Sequence, residues 1–227
     1  MLLSNIQTIT LESQHVTLAY ETFGEGQPVL LIHGNGGSHH DLDTLAHQLA
    51  NAGYKVYAPD SRGHGLNPPL NEYHYADMAE DMYQFCQALN IENPIVYGWS
   101  DGGIIALMLE LSHPGTINKM IISGANIFSG IDLGKQYPDS FFGGIGPTDP
   151  FYALMYYEPN IEASSLSHIN CPVLVTAGQN DLIPEPHTRL IAQSIPNATL
   201  LILPEEDHFS YIVNHPKIGQ IILQYLK

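Results

Sequence analysis

Basic residues are scarce in this chain. Its 227 residues include 7 Lys and Arg against 23 Asp and Glu, which gives a formal net charge of −16. Arginine occurs only at Arg62 and Arg189. A surface of this sign repels nucleic acid and anionic membranes, so the charge argues against both as partners. It also disfavours a substrate with a carboxylate or phosphate, because Arg is the usual residue that binds such groups.

Long apolar runs, cysteines and metal-ligand spacings are also missing or few. No stretch approaches the ~20 apolar residues of a transmembrane helix. Met1 to Thr10 lacks a basic region followed by an apolar run, so we expect no secretory signal and a cytoplasmic location. The two distant cysteines, Cys86 and Cys171, are expected to be buried free thiols. No histidines show a spacing such as H-x-x-x-H with a third ligand, so we expect no metal and no cofactor.

Short apolar runs alternate with segments of helical periodicity along the chain. Strands are predicted over residues 16–20, 29–32, 55–58, 95–97, 119–123, 173–177 and 199–203. Helices are predicted over residues 42–51, 75–89, 102–112, 186–194 and 216–226. This alternation is typical of an α/β fold with a mostly parallel sheet and helices on both faces, in a single domain over 1–227.

One pentapeptide carries a chemical signal. Gly98-Trp99-Ser100-Asp101-Gly102 fits G-x-S-x-G and lies between an apolar run and a helix-like run, the strand–turn–helix setting of a nucleophile elbow. The sharp turn needs small neighbours, and it lifts the serine hydroxyl away from the sheet. The helix N-terminus that follows favours developing negative charge. We therefore interpret Ser100 as a nucleophile.

A serine nucleophile needs a base, and the base needs an acid that orients it. Asp181 follows predicted strand 173–177, and His208 follows predicted strand 199–203. Ligands of an open parallel sheet bind at the carboxyl ends of its strands, where Ser100 also lies. The order Ser, Asp, His along the chain is the order of hydrolases with this elbow.

The remaining polar candidates are given other roles. Asp207 precedes His208 on a loop and is expected to face solvent. Within their motifs, His33 and His64 are expected to brace loops. Surface positions are expected for His39, His40, His47, His74, His187 and His215.

These motifs together resemble the α/β-hydrolase superfamily over nearly the whole chain. The segment Leu30–Gly37 resembles its H-G-x-G oxyanion loop, and Asp60–Gly65 resembles the D-x-R-G-H-G turn of its esterases and lactonases. The resemblance implies a sheet of about eight strands and a short cap inserted at about 125–167, with one or two short helices. For the site it implies Ser100 as nucleophile, Asp181 as acid, His208 as base, and the backbone N–H groups of Asn35 and Asp101 as oxyanion hole.

The cap segment is rich in aromatic residues, which either line a substrate pocket or only cover the core. The candidate pocket residues are Trp99, Phe141, Phe142, Tyr152 and Tyr156. The leading function is a serine hydrolase that cleaves a small neutral carboxylic ester as a carboxylesterase. Two alternatives remain: a lactonase or C–C bond hydrolase on the same triad, and a ligand-binding protein that retains the fold.

Overall fold

The structure is a computed structural model that describes residues 6–12, 15–144 and 146–227. The expectation for a leader concerns Met1 to Thr10, and residues 1–5 of that segment lie outside the described ranges. Within these ranges, none of the helices combines the length and the apolar character needed to cross a membrane.

Eight strands form one sheet, as the resemblance implies. The strands are β1 (Gln7–Leu11), β2 (Val16–Phe23), β3 (Gln27–Ile32), β4 (Tyr54–Pro59), β5 (Ile95–Trp99), β6 (Lys119–Ser123), β7 (Val173–Asn180) and β8 (Ala198–Asp207). Their order in the sheet is β1-β2-β4-β3-β5-β6-β7-β8. The pairs β1–β2 and β2–β4 are antiparallel and the other pairs are parallel. The predicted mostly parallel α/β sheet is thus confirmed.

Helices cover both faces of the sheet. They are α1 (Asp43–Asn51), α2 (Tyr75–Ala88), α3 (Asp101–Ser112), α4 (Gly130–Gln136), α5 (Pro150–Tyr157), α6 (Glu185–Ser194) and α7 (Pro216–Tyr225). Apolar residues of α1 and α7 share one core cluster, while those of α2, α3 and α6 share the other. Strand β3 shows the alternation that separates them: Val29 and Leu31 enter the first cluster, Leu30 and Ile32 the second.

The insertion that breaks the alternation lies between β6 and β7. It contains the two short helices α4 and α5 and two 3₁₀ turns, Phe141–Gly143 and Ala163–His168. Each α-helix begins at a polar N-cap: Ser129 for α4, and for α5 Asp149, which accepts hydrogen bonds from two backbone N–H groups. The insertion lies on the side of the sheet where the parallel strands end, next to the elbow.

Burial corrects two histidine predictions. His39 and His187, expected at the surface, are buried, while His40, His47, His74 and His215 are exposed as expected. His39 contacts a buried carboxylate, and His187 Nε2 accepts a hydrogen bond from the backbone N–H of Ile127. One nitrogen of each ring therefore has a buried polar partner that sequence spacing does not reveal. The cysteine prediction is confirmed, since Cys86 and Cys171 are both buried free thiols.

Candidate active site

Ser100 occupies the turn between β5 and α3. Its backbone has φ +55° and ψ −118°, a conformation that non-glycine residues rarely adopt. The backbone N–H of Ser100 donates to the carbonyl of Ser123 on the neighbouring strand, at 2.8 Å. A Cβ at Gly98 would collide with the Gly102 carbonyl, and one at Gly102 with the Ile32 carbonyl. The two glycines of G-x-S-x-G thus permit the close strand–helix contact that holds the serine in its strained turn.

The structure brings His208 and Asp181 to Ser100. His208 Nδ1 lies 2.6 Å from Asp181 Oδ1, and His208 Nε2 lies 3.0 Å from Ser100 Oγ. Because the carboxylate can only accept, Nδ1 carries the proton, and Nε2 of the neutral ring accepts from the serine hydroxyl. The side chains of His208 and Asp181 are 5% and 1% exposed, so water screens this pair little.

Backbone donors hold the carboxylate of Asp181 in place. Oδ1 accepts from the N–H of Ile183 at 3.0 Å, and Oδ2 accepts from the N–H of Gly178 at 3.2 Å. On the other side of the imidazole, the indole N–H of Trp99 donates to the His208 carbonyl at 3.0 Å. The base is therefore fixed through both its ring and its backbone.

The loop that follows β6 contains a glycine, Gly124, that leaves space for the His208–Asp181 pair. Gly124 has φ +59°, and a Cβ there would lie 2.8 Å from both Nδ1 and Cε1 of His208, and 3.3 Å from Asp181 Oδ2. No sequence motif points to Gly124. The His208–Asp181 pair occupies the space that a side chain at position 124 would fill.

The loop expected to supply an oxyanion donor lies against the nucleophile. A Cβ at Gly34 would approach Ser100 Cβ to 3.3 Å and the Trp99 ring to 3.2 Å, so the start of this loop contacts the elbow directly. Asn35 follows it and lines the same cavity as Ser100. Asp101 is the first residue of α3, where backbone N–H groups have no acceptor within the helix. Both candidate donors thus flank Ser100.

The carboxyl of Asp101 is buried beneath the elbow. Burial is the main cause that raises its pKa to about 7, against lowering contributions from Tyr75, His208 and Asn35. One of its oxygens, Oδ2, has no hydrogen-bond partner among the described residues. Its side chain is buried, and its backbone N–H lies at the N-terminus of α3.

The D-x-R-G-H-G turn is a structural brace. His33 Nδ1 donates to the Gly34 carbonyl at 2.7 Å, and its Nε2 accepts from the N–H of Ser61 at 3.0 Å. His64 Nδ1 donates to the Arg62 carbonyl at 2.9 Å. Burial lowers the pKa of both rings, to about 4 for His64, so they are neutral at pH 7. The expectation that both histidines brace loops is confirmed by these contacts.

Neither arginine faces the nucleophile. Arg62 donates to both oxygens of Asp81, at 2.6 and 2.7 Å, and Arg189 forms a 2.6 Å ion pair with Glu185. Burial lowers the pKa of Arg62, but the neighbouring carboxylates, chiefly that of Asp81, raise it by more, so the net result is a raised pKa. Both cations are therefore engaged in ion pairs away from Ser100.

A cavity of about 340 Å³ opens above Ser100 and His208. Of the five candidate pocket residues, Trp99, Phe141 and Tyr152 line it. Phe142 and Tyr156 are not among the described residues that line the cavity. Phe142 is instead buried, in a small cluster with Leu133 and Ile183.

Sequence reasoning missed several residues of this cavity. They are Asp149, Phe151, Met155, Leu182 and Phe209. Phe209 adjoins His208, and Leu182 adjoins Asp181, so adjacency to the triad is a signal that could have found both. The three others lie on α5 or at its N-cap, where only the position of the helix over the elbow decides which side chains face inward.

Comparison with known proteins agrees with the fold. The family model described as alpha/beta hydrolase fold matches residues 27–170. Human serine hydrolase BPHL is 30% identical over 228 residues, covering 85% of this chain and 77% of that protein. The chain therefore belongs to the α/β-hydrolase family.

Two solved structures extend the likeness to nearly the full length. An esterase from Thermogutta terrifontis has a TM-score of 0.80 at 20% identity and covers 98% of each chain. A meta-cleavage product hydrolase from Pseudomonas fluorescens IP01 has a TM-score of 0.79 at 21% identity, with 97% of each chain covered. At these identities the likeness concerns the fold alone, and what the site acts on must be argued from its residues.

Proposed function

We propose that this protein is a serine hydrolase that cleaves a small, neutral carboxylic ester through a Ser100–His208–Asp181 triad. The observation that carries the proposal is the continuous contact from Asp181 Oδ1 through His208 to Ser100 Oγ, at 2.6 and 3.0 Å. Both distances lie within the hydrogen-bond range expected between the acid, the base and the nucleophile of a catalytic triad. The 30% identity to a protein named serine hydrolase gives independent support.

The proposed chemistry follows from this geometry. Ser100 Oγ attacks the ester carbonyl while His208 Nε2 takes the hydroxyl proton, and Asp181 stabilises the resulting imidazolium. The backbone N–H groups of Asn35 and Asp101 donate to the oxyanion, and losing one such donor typically costs ~10²–10³ in rate. His208 then protonates the leaving alcohol. Water then gives a proton to His208 while its oxygen attacks the acyl carbon. His208 returns that proton to Ser100 Oγ as the bond between Oγ and the acyl carbon breaks and the acid leaves.

The cavity supports the assignment of a small, neutral substrate. Its volume of about 340 Å³ lies near the lower end of the range for ligand pockets. Among the described residues that line it, none is Lys or Arg, while Asp149 contributes a carboxylate. A carboxylate or phosphate entering this space would lose hydration without gaining a cation. The aromatic walls, by contrast, suit an apolar acyl or alcohol group.

The experiment is a substrate panel measured on wild type, Ser100→Ala and the control Ser165→Ala. The panel contains p-nitrophenyl esters of graded acyl length, a lactone, a thioester and a C–C bond substrate. We expect kcat/KM to be highest for a short neutral ester and to fall at least ~10⁴-fold in Ser100→Ala. Ser165 lies in a distant 3₁₀ turn, where its hydroxyl donates to the Glu162 carbonyl, so its variant should keep full activity.

The panel also separates the alternatives. Turnover of the lactone or the C–C substrate in place of the esters would replace the ester assignment and retain the triad. Saturable binding of these compounds with no turnover of any would favour a ligand-binding protein. Ester turnover that survives in Ser100→Ala would overturn the nucleophile assignment itself.

A further inference from the structure

A second constellation of ligand-type side chains lies outside the triad cavity. Glu21 on β2 and the adjacent His39 and His40, after β3, each offer one ligand atom, and these atoms all lie within 4.8 Å of one another. His39 and Glu21 are buried, whereas His40 is exposed and leaves the cluster open to solvent on one side. The sequence spacing predicts no such group, because the carboxylate and the histidines are far apart along the chain.

His39 has the orientation of a metal ligand. Its Nδ1 lies 2.7 Å from Asp60 Oδ1, and its backbone N–H donates to the same oxygen at 2.8 Å. The carboxylate can only accept, so Nδ1 carries the proton and Nε2 presents a lone pair in the neutral ring. That Nε2 is buried and has no hydrogen-bond partner among the described residues. A histidine that binds a metal through one ring nitrogen usually donates the N–H of the other to a carboxylate or carbonyl, which orients the ring.

The separation across the cluster suits an ion better than a direct hydrogen bond. His39 Nε2 lies 3.9 Å from Glu21 Oε2, beyond hydrogen-bond range. Two ligands on a tetrahedral Zn²⁺, each at ~2.1 Å, are about 3.4 Å apart. The exposed His40 ring lies against His39, with 4.0 Å between the ring centroids and 40° between the ring planes, and Asp43 Oδ2 lies 3.1 Å from His40 Nδ1. Binding of one ion by His39 and Glu21 would shorten their separation by about 0.5 Å.

We propose that Glu21, His39 and His40 bind a divalent transition-metal ion of the Zn²⁺ type, with Asp60 orienting His39. Two imidazoles and one carboxylate form a ligand set that zinc accepts, with water as a fourth ligand. The ion would join β2 to the segment that follows the oxyanion loop, and through Asp60 to the end of β4. Its role is to stabilise these loops, and it takes no part in the ester chemistry at Ser100.

The test is calorimetric titration of Zn²⁺ into the chelator-treated full chain. Four proteins are compared: wild type, His40→Ala, Glu21→Gln and the control His168→Ala. His40 is exposed and Gln keeps the size of Glu21, so these variants retain the fold. His168 is an exposed histidine whose ring forms a hydrogen bond with the Ser165 carbonyl at 3.0 Å, so its variant controls for loss of any surface imidazole. Thermal melting with and without Zn²⁺ gives a second readout that does not depend on activity.

We expect one Zn²⁺ per wild-type chain, with an affinity at least tenfold weaker in His40→Ala and Glu21→Gln and unchanged in His168→Ala. The melting temperature should rise with Zn²⁺ in wild type and the control, and less in the two ligand variants. Absence of saturable binding, or equal binding by all four proteins, would overturn the proposal. A fifth protein, His208→Ala, is titrated in the same way. Binding that is lost in His208→Ala and kept in His40→Ala would place the ion at the triad and would overturn the proposal as well.

Discussion

At the scale of single residues, the site depends as much on missing side chains as on reactive ones. Ser100 adopts its strained backbone only because Gly98 and Gly102 allow β5 and α3 to approach. Gly124 has the same function for the base, because its missing side chain leaves the space that the His208–Asp181 pair occupies. The reactive groups are read directly from the sequence, whereas the space around them is a property of the fold.

Gly124→Ala should therefore damage catalysis more than stability alone explains. The new Cβ would lie 2.8 Å from the His208 ring and would displace the base from Ser100. Since a displacement of ~1 Å in a catalytic group can cost ~10²-fold, we expect kcat to fall by about that factor. The measurement is kcat on the best ester of the panel, with stability followed by denaturant unfolding.

Gly115→Ala is the matched control for this change. Gly115 also has a positive φ, +84°, but a Cβ there meets nothing within 4 Å. Both variants should lose a similar ~1–2 kcal/mol through backbone strain, and only Gly124→Ala should lose activity. Equal kcat values in the two variants would show that Gly124 does not maintain the triad.

At the scale of elements, the cap segment divides its aromatic residues between two tasks. Phe141 is 42% exposed and lines the cavity, whereas its neighbour Phe142 is 6% exposed and packs on Leu133 and Ile183. From α5, Phe151 and Tyr152 also reach the cavity. One short 3₁₀ turn thus places two successive rings in different environments. Phe141 faces the cavity, and Phe142 faces the buried cluster within the cap.

The pair Phe141→Ala and Phe142→Ala tests this division. Phe141→Ala should widen the cavity, change KM and shift the preference to longer acyl chains, with stability within ~0.5 kcal/mol of wild type. Phe142→Ala should instead lose about 3 kcal/mol or more, because it leaves a void in a buried cluster. Acyl-chain profiles and denaturant unfolding measure the two effects. The reverse assignment of effects would contradict the described packing.

The strands and helices could be predicted from the sequence where their pattern of apolar residues is strong. Seven strands and the five main helices follow from periodicity, but β1 does not, because its alternation is mostly polar and its residues are largely exposed at the sheet edge. The triad candidates could be predicted because each follows a recognisable strand. Contacts between distant segments, such as the Trp99 indole on the His208 carbonyl or His39 on Asp60, have no local signal.

At the scale of the whole molecule, the charge supports the proposed preference for a neutral substrate. The net charge is −16, both arginines pair with carboxylates, and Asp149 lies at the cavity. The long-range field lowers the concentration of anions near the site, and the local field opposes their entry. Both effects act in the same direction, so we expect neutral esters to be favoured over anionic ones.

This preference should appear as a higher kcat/KM for a neutral ester than for its carboxylate-bearing analogue of equal size. The difference in kcat/KM between the two esters should become smaller as the salt concentration rises, because salt screens the long-range repulsion of the anionic ester. Asp149→Asn should narrow it further while keeping the N-cap of α5, since Asn also caps helices well. The control Glu92→Gln removes the same charge from an exposed position before the amino end of β5, whereas Ser100 follows the carboxyl end of that strand, so it should have little effect. A preference for the anionic ester at both salt concentrations would contradict the charge argument.

The most direct test of the central claim is covalent labelling with a fluorophosphonate, which reacts with an activated serine. Ser100 should be activated, because the triad contacts bring its hydroxyl within 3.0 Å of a base. We predict one adduct per native wild-type chain, located on Ser100 by peptide mass spectrometry, and none in Ser100→Ala or in the unfolded chain. An adduct on another serine, or a native chain that the reagent leaves unlabelled, would contradict the assignment of Ser100 as the activated nucleophile.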